Sequence, residues 1–184
     1  DFWGKNCVEK FNGMWAFAIY DKMQDEIFLS RDRFGIKPLY YCELGNKFIF
    51  GSEIKQIIEF QDEVFANKEI LIDFLVTSFE EHKDQTFFKG VKKLKQSHNL
   101  IYDLKSNKYS IKKYYSISYH EAIQKFSEQK SIEKFHSELK RSINYRLRSD
   151  VTVGSCLSGG LDSSTVASVA ASQYSKESDS KKFT

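Results

Sequence analysis

The fold is decided by one stretch, Val151-Thr-Val-Gly-Ser-Cys-Leu-Ser-Gly-Gly-Leu-Asp-Ser-Ser-Thr165. Its first part, Val151 to Leu157, is an apolar, β-branched run that predicts a short buried strand. Ser158-Gly-Gly160 predicts a tight turn, and the small residues from Leu161 onward predict a helix. This order leaves unpaired backbone N–H groups at the start of the helix, and such groups attract anions.

The residue types in this turn and in the first helical turn suit a phosphate group. Gly159 and Gly160 carry no Cβ, so the backbone can approach an anion closely. Asp162 is placed where a carboxylate caps the backbone or helps to hold Mg²⁺. Three serines add hydroxyl donors: Ser158, Ser163 and Ser164. The alternative is a serine-capped helix after an ordinary turn, and neither a Walker A loop nor a Gly-x-Gly-x-x-Gly fingerprint is present.

The composition is that of a globular protein without a strong charge bias. The 184 residues are 41% apolar, 29% charged and 15% aromatic, and the net charge is +3. This balance argues against a dedicated nucleic-acid binder. No apolar run approaches the length of a membrane span, and the N-terminus does not resemble a signal peptide. We therefore expect a cytoplasmic protein that binds neither nucleic acid nor membrane.

Three widely spaced cysteines, Cys7, Cys42 and Cys156, predict reduced thiols rather than disulfides. Cys7 precedes a predicted core strand, and Cys156 lies within the predicted buried strand. Both are interpreted as small packed hydrophobes. The four histidines show no metal-ligand spacing, so no protein ligand is assigned to a metal.

The residues before about position 118 predict antiparallel strands joined by turns. Strands are expected at Met14–Tyr20, Glu26–Ser30, Leu39–Glu43, Lys47–Ser52, Val91–Leu94, His98–Leu104 and Lys108–Ile117. The first is expected to be buried and to form a hairpin with the second. The first four are expected to form one meander of short, aromatic-rich strands.

Three helices are expected besides the one after the glycine turn. Ser52 is predicted to cap the first, with Ile54, Ile57 and Ile58 on its apolar face. The second is predicted from Asn67 to Phe79, with an apolar face of Ile70, Leu71, Phe74 and Leu75. The third has apolar residues three and four apart, at Ile132, Phe135, Leu139, Ile143 and Leu147. Because the composition becomes rich in Glu, Lys, Gln and Ser after Tyr119, a domain boundary is predicted near residues 118–125.

Four motifs together resemble one family. Three of them look like the later part of a class II glutamine amidotransferase domain: Phe11-Asn-Gly-Met-Trp-Ala-Phe-Ala-Ile-Tyr-Asp21, Arg31-Asp-Arg-Phe-Gly-Ile-Lys-Pro-Leu-Tyr40 and Gly51-Ser-Glu-Ile-Lys55. The fourth, Arg148 to Gly154 leading into Ser158 to Ser164, resembles the start of a synthetase domain with the PP-loop of N-type ATP pyrophosphatases. This order is similar to that of glutamine-hydrolysing asparagine synthetases.

The resemblance implies a two-part fold. Residues 1–120 are expected to form an α+β, Ntn-hydrolase-like antiparallel sheet with helices, as the C-terminal portion of a glutamine amidotransferase domain. Residues 121–184 are expected to begin an α/β, Rossmann-like PP-loop domain that binds ATP. Both ends look cut, so we expect an internal fragment that is inactive alone.

The resemblance also implies a reaction. Such an enzyme converts aspartate to asparagine with ammonia from glutamine, through β-aspartyl-AMP, and releases AMP and pyrophosphate. ATP, Mg²⁺, glutamine and aspartate are the expected ligands, and a homodimer is one assembly that the family allows. The motif match assigns these ATP-binding residues: Leu157, Ser158, Gly159, Gly160, Asp162, Ser163 and Ser164. No glutaminase nucleophile is assigned, because the family's N-terminal cysteine lies upstream of Asp1.

Several alternatives stay open at this stage. The protein could act on another carboxylate, such as a sugar acid or a β-amino acid that cyclises, or be a truncated member without activity. Arg31-Asp-Arg33 fits a hydrogen-bonded and ion-paired junction or a lining of the ammonia route, and Ser52-Glu53 fits a helix cap or an interface contact. Lys95-Gln-Ser97 stands where the family usually has Pro-Pro-Gly, so a less stiff turn is expected.

Overall fold

The protein is described by a computed structural model that covers residues 2–80, 82–119 and 125–177. The chain divides into two compact units, Asp1–Ile117 and Ser118–Thr184. The assignment of residues 1–120 and 121–184 to two functional domains stays a prediction. Across the described ranges, no helix is both long and apolar enough to span a membrane.

The first unit combines short strands with short helices. A 3₁₀ helix covers Gly4–Glu9. The strands, in chain order, are β1 (Ala16–Asp21), β2 (Glu26–Arg31), β3 (Tyr40–Leu44), β4 (Lys47–Gly51), β5 (Lys92–Lys93), β6 (His98–Asp103) and β7 (Lys108–Lys113). Two helices, α1 (Ile54–Ile58) and α2 (Lys68–Thr77), lie between β4 and β5. Antiparallel strands with helices are thus confirmed for this part of the chain.

The strands form two antiparallel sheets, with the orders β1-β2-β6-β7 and β4-β3-β5. The predicted hairpin is confirmed, since Asp21 pairs with Glu26 and Ala16 with Arg31. The predicted single meander is wrong, because β2 pairs with β6 rather than with β3. The segment between Arg31 and Tyr40 carries the chain from one sheet to the other. The alternation of apolar and polar residues within each strand does not predict this change of sheet.

Side chains from both sheets share one core. The cluster contains Leu29, Leu39, Tyr41, Leu94, Leu100 and Tyr102, all almost fully buried. Phe48 of β4 stacks on Tyr102 of β6, with ring centroids 4.3 Å apart. The prediction that β1 is buried is wrong: Ile19 and Tyr20 are about half exposed. Within the described residues β1 is an edge strand, so it is paired on one side only.

The helices of this unit begin close to the predicted positions. The N-cap of α1 is Glu53 rather than Ser52, and the Glu53 N–H donates to Gln56 Oε1 at 3.1 Å. Asn67 precedes α2, and Ser78 ends it in a left-handed conformation with φ 60°. The predicted apolar face of α2 is only partly buried, since Ile70 is enclosed while Leu75 is exposed.

The second unit contains two described helices, α3 (Glu128–Leu147) and α4 (Leu161–Glu177). Ser127 caps α3 by accepting from the Lys130 N–H at 3.3 Å. Both helices confirm the sequence prediction. On α3, Ile143 is buried, whereas Ile132 and Phe135 are exposed.

The predicted buried strand from Val151 to Leu157 is wrong for this structure. No strand is assigned there, and Val151 and Leu157 are 72% and 66% exposed. A parallel strand needs neighbours on both sides and helices on both faces. The regular elements in the described part of the second unit are helices, so this segment has no strand there to pair with.

Candidate nucleotide-binding loop

The turn before α4 has the backbone shape that its glycines predict. Gly159 has φ 80°, in the left-handed region that residues with a Cβ disfavour. A Cβ built on Gly159 would meet no atom within 4 Å, so conformation rather than space selects glycine there. The Gly160 position is different: its φ is not positive, and an added Cβ would lie 3.5 Å from Ser158 Oγ.

The backbone of the loop is open to an anion. Gly159, Gly160, Leu161 and Asp162 are exposed. Within the ranges that the structure covers, their N–H groups donate to no protein acceptor. The first N–H groups of a helix have no intrahelical partner and carry the positive end of the helix dipole. The loop therefore offers several aligned donors at one exposed point.

The serine hydroxyls are linked to one another within the loop. Ser163 Oγ donates to the Gly160 carbonyl at 3.1 Å, and Ser158 Oγ lies 3.0 Å from Ser163 Oγ. Because the hydroxyl hydrogen of Ser163 is donated to the Gly160 carbonyl, Ser158 is the donor in the bond between the two hydroxyls. The Ser164 N–H also donates to the Gly160 carbonyl, at 3.1 Å. A phosphate would draw the two hydroxyls of Ser158 and Ser163 away from these bonds by rotation about χ1.

Asp162 is the carboxylate of this loop. It lies in the first turn of α4, is exposed, and makes no ion pair with another described residue. No group of three or more His, Cys, Asp or Glu side chains that could hold a metal occurs in the described parts of the chain. Mg²⁺ at nucleotide sites is often held by one or two carboxylates, the phosphates and water. A single free carboxylate beside the donors fits that arrangement.

A second set of predicted residues lies in the first unit, where Arg31 and Asp32 are buried. Arg31 donates to three carbonyls: Lys37 at 2.8 Å, Leu94 at 2.8 Å and Gly35 at 2.7 Å. These bonds confirm a hydrogen-bonded junction. The predicted ion pairing is not seen, since no described carboxylate lies within 4 Å of Arg31. The three hydrogen bonds of its guanidinium all go to backbone oxygens instead.

The Asp32 carboxylate is surrounded by backbone donors. Four N–H groups point at its two oxygens, those of Trp15, Phe34, Ile36 and Lys37, at 2.9–3.3 Å. Burial by itself raises the pKa of Asp32, but these hydrogen bonds outweigh it and leave the pKa below its ordinary value. Asp32 therefore holds the connection between the sheets as an anion.

Aromatic residues complete this junction, and the sequence analysis did not identify them. Arg33 lies 5.6 Å from the centre of the Trp15 ring and 5.2 Å from that of Tyr115. Tyr114 donates its hydroxyl to the Arg31 carbonyl at 2.7 Å, and burial raises the pKa of Tyr114 to about 12. The doublet Tyr114-Tyr115 next to a strand was the available signal, but nothing in its spacing points to residues 31–33.

Comparison with known proteins assigns both parts of the chain. Residues 1–115 match the model of a glutamine amidotransferase domain, and residues 134–184 match that of asparagine synthase. The first match covers more than half of the chain. The chain belongs to the glutamine-hydrolysing asparagine synthetase family. Residues 158–164 lie within the asparagine synthase match, and residues 31–33 lie within the amidotransferase match.

Individual members of the family are similar over most of this chain. A Methanocaldococcus jannaschii protein named "Putative asparagine synthetase (glutamine-hydrolyzing) 2" is 43% identical over 169 residues, which are 90% of this chain and 32% of that protein. Asparagine synthetase (glutamine-hydrolyzing) 3 of Bacillus subtilis is 31% identical over 95% of this chain and 28% of its own length. Amidase chyE of Penicillium rubens is 30% identical over 92% of this chain and 25% of its own length. The chain thus spans about a third or less of the length of these relatives.

Cys7 and Cys156, the two cysteines that were interpreted as packed residues, both lie in more open surroundings than predicted. Cys42 is buried, whereas Cys156 is exposed and Cys7 is partly exposed. The interpretation of Cys156 as a packed residue is wrong, because the strand expected to bury it is not formed. Cys7 lies in the 3₁₀ helix rather than directly before β1, so its surroundings are more open than predicted.

The turn that departs from the family pattern is tied to the Arg31–Arg33 segment. Ser97 is buried, and its N–H donates to the Asp32 carbonyl at 3.0 Å. Its hydroxyl donates to the Arg33 carbonyl at 2.8 Å. A serine at this point therefore adds an anchor that a glycine cannot make.

Proposed function

We propose that this protein is an ATP-dependent amide ligase that converts aspartate to asparagine. Ammonia comes from glutamine, ATP activates the aspartate side chain as β-aspartyl-AMP, and pyrophosphate leaves. Ammonia then attacks the activated carbonyl, which gives asparagine and AMP. A free carboxylate is a poor electrophile, whereas AMP is a good leaving group, and this difference explains why ATP is needed.

The observation that carries the proposal is the exposed loop between Leu157 and Ser164 in a chain whose earlier part belongs to an amidotransferase domain. Open N–H groups at the start of α4 suit the β- and γ-phosphates, which are released together as pyrophosphate. We assign ATP binding to Leu157, Ser158, Gly159, Gly160, Asp162, Ser163 and Ser164. Residues 1–120 and 121–184 are assigned to the glutamine and ATP halves, respectively.

Each residue of the loop has a defined task in this proposal. The backbone donors around Gly159 and Gly160 bind phosphate oxygens, and Ser158 and Ser163 turn their hydroxyls toward the same group. Asp162 would hold the Mg²⁺ that accompanies ATP, and that cation would neutralise phosphate charge. None of the three cysteines is proposed as the glutaminase nucleophile.

A second acceptor class is supported by one observation. Amidase chyE shares 30% identity across both halves of this chain, although its name is not that of an asparagine synthetase. A similar pair of halves in a differently named protein suits the alternative that another carboxylate, such as a sugar acid or a cyclising β-amino acid, replaces aspartate. ATP is used in the same way whether the acceptor is aspartate or another carboxylate, so the loop does not distinguish the two acceptor classes.

The test uses the complete protein that contains this chain, with Mg-ATP, glutamine and aspartate. We expect AMP and pyrophosphate to form in step with asparagine. ADP and phosphate as products would contradict the proposal. Pyrophosphate release that requires a carboxylate other than aspartate would favour the second acceptor class, and no nucleotide turnover with any acceptor would favour a member without ligase activity.

A further inference from the structure

The first unit contains a basic pocket of about 380 Å³, and nothing in the proposed reaction uses it. Its walls include Arg33, Lys95, His98 and Lys113, together with the ring of Tyr115. No acidic side chain is among the described residues that line it. The volume falls in the range of small-molecule sites, roughly 300–1,000 Å³.

The fold itself brings these basic groups together from three segments. His98 and Lys113 are direct partners across the antiparallel pair β6–β7. Lys95 lies in the turn before β6, and the next-but-one residue, Ser97, is bonded to the Arg33 carbonyl at 2.8 Å. The same hydrogen bond that anchors this turn therefore brings Arg33 next to the lysines.

The positive charges in the pocket are not neutralised within the described part of the protein. Lys95 and Lys113 make no ion pair there. Arg33 donates to the carbonyls of Phe11 and Glu9, which fixes its position but leaves its charge uncompensated. Like charges that share a pocket repel one another, and a bound anion removes that repulsion.

His98 is held in the pocket wall by a hydrogen bond within its own turn. Its Nδ1 lies 2.7 Å from the Gln96 carbonyl. A carbonyl only accepts, so Nδ1 carries the hydrogen and Nε2 is left for another partner.

We propose that this pocket binds the phosphate group of a small phosphorylated molecule. Lysines bind phosphate as point charges, and two lysines with an arginine match a multiply charged anion better than a single carboxylate. The rings of Phe34 and Tyr115, 6.4 Å apart, form an apolar part of the wall. The source of the phosphate is either a free anion such as pyrophosphate or a nucleotide such as AMP.

The test is a titration of the 184-residue chain with pyrophosphate and, separately, with AMP, followed by amide NMR signals. We expect saturable shifts at His98, Lys113 and Tyr115. The double variant Lys95→Gln/Lys113→Gln should weaken this binding at least tenfold. The matched control is Lys112→Gln, since Lys112 is another exposed lysine that lies beside Lys113 on β7 but does not line the pocket.

The outcomes separate this proposal from the ligase proposal. If the amide NMR shifts were confined to residues 158–164, or if none occurred near His98, the proposal that this pocket binds phosphate would be wrong. Equal weakening by Lys112→Gln, or equal binding of succinate, would also contradict it, since both indicate general charge attraction. Binding of either pyrophosphate or AMP at His98 supports the pocket, even if residues 158–164 do not respond. Tighter binding of AMP, with shifts at Phe34, would identify the nucleotide as the source.

Discussion

Ser97 holds a left-handed backbone conformation, with φ 65°, while its hydroxyl donates to the Arg33 carbonyl at 2.8 Å. A residue with a Cβ in this conformation costs about 1–2 kcal/mol relative to glycine. A buried hydrogen bond contributes about 0.5–1.5 kcal/mol in return. The serine therefore offsets much of its own conformational strain by tying the turn to the buried junction.

This balance predicts that two substitutions of Ser97 destabilise the first unit to different extents. Ser97→Ala keeps the strain and loses the bond, so the unit should lose about 1–2 kcal/mol of unfolding free energy. Ser97→Gly loses the bond but relieves the strain, so its loss should be smaller by about 1 kcal/mol. Urea unfolding followed by tryptophan fluorescence measures both, because Trp3 and Trp15 lie in the first unit. Equal losses for the two variants would show that the turn relaxes and that no strain is stored.

The charge of Asp32 should govern the acid stability of the first unit. Its pKa in the folded protein lies below the ordinary value of 3.8. Its contribution is therefore fully present above pH 3.8 and is lost as the pH falls through the lower, folded-state pKa. Asp32→Asn places an amide NH₂ against two backbone N–H groups, so we expect a loss of about 3 kcal/mol at pH 7. The difference between the two proteins should shrink below pH 3.8.

Asp103 is the control for Asp32. It also accepts from two backbone N–H groups, those of Lys105 and Ser106, at 2.8 Å each. Both bonds end on the same oxygen, Oδ1, and the residue is exposed. Asp103→Asn can keep both bonds and should change stability far less. If the two variants had equal effects, the enclosure of Asp32 would not matter.

Alanine substitutions at Gly35 and Gly45 distinguish the energetic cost of a steric clash from that of backbone strain. Their φ angles are similar, at 69° and 59°. A Cβ on Gly35 would lie 3.1 Å from Arg31 Nη2 and from Gln96 Cβ, whereas a Cβ on Gly45 would meet nothing within 4 Å. Gly45→Ala should cost about 1–2 kcal/mol from strain alone. Gly35→Ala should cost a further 1–3 kcal/mol because Arg31 must shift; thermal unfolding of the two variants gives the comparison.

Replacement of Asp162 should separate nucleotide use from folding. Its side chain makes no ion pair with any described residue, so Asp162→Ala should leave the fold intact. In the complete protein we expect at least a tenfold loss of pyrophosphate release, with glutamine hydrolysis mostly retained. The measurement is both activities on the same preparation. An equal loss of both would assign Asp162 to the fold.

Glu128 provides the matched control for that variant. It is another exposed carboxylate in the first turn of a helix, α3. Glu128→Ala removes the same favourable charge from a helix start but lies outside the loop. Pyrophosphate release should therefore stay near that of the parent protein. A similar fall in both variants would mean that helix stability, rather than phosphate binding, controls the activity.

The parts of the fold that depend on neighbouring residues could be predicted from the sequence. The β1–β2 hairpin follows from two apolar runs around a polar turn, and α3 follows from its spacing of apolar residues. The pairing of β2 with β6 could not, because Phe28 and Ile101 are far apart in sequence and alternate like any other strand residues. Long-range pairing depends on packing, which local patterns do not encode.

The loop and the junction illustrate the same distinction. The Ser158–Ser163 turn could be predicted because glycine and serine act on their immediate backbone. The burial of Asp32 under four N–H groups could not, since the Trp15 N–H comes from the residue before β1, distant from Asp32 in the sequence. At Val151 to Leu157 the local pattern predicted a strand that is not formed. A β-branched run has strand propensity, but a strand forms only where another strand accepts its hydrogen bonds.

The exposure of Cys156 has a practical consequence. An accessible thiol two residues before Ser158 can be alkylated by a small maleimide, whereas Cys7 is only partly exposed and Cys42 is enclosed, so both should react more slowly. A dye attached at that sulfur would sit close to the glycine turn. Its emission would then follow occupancy of the turn in real time, without the addition of any new residue.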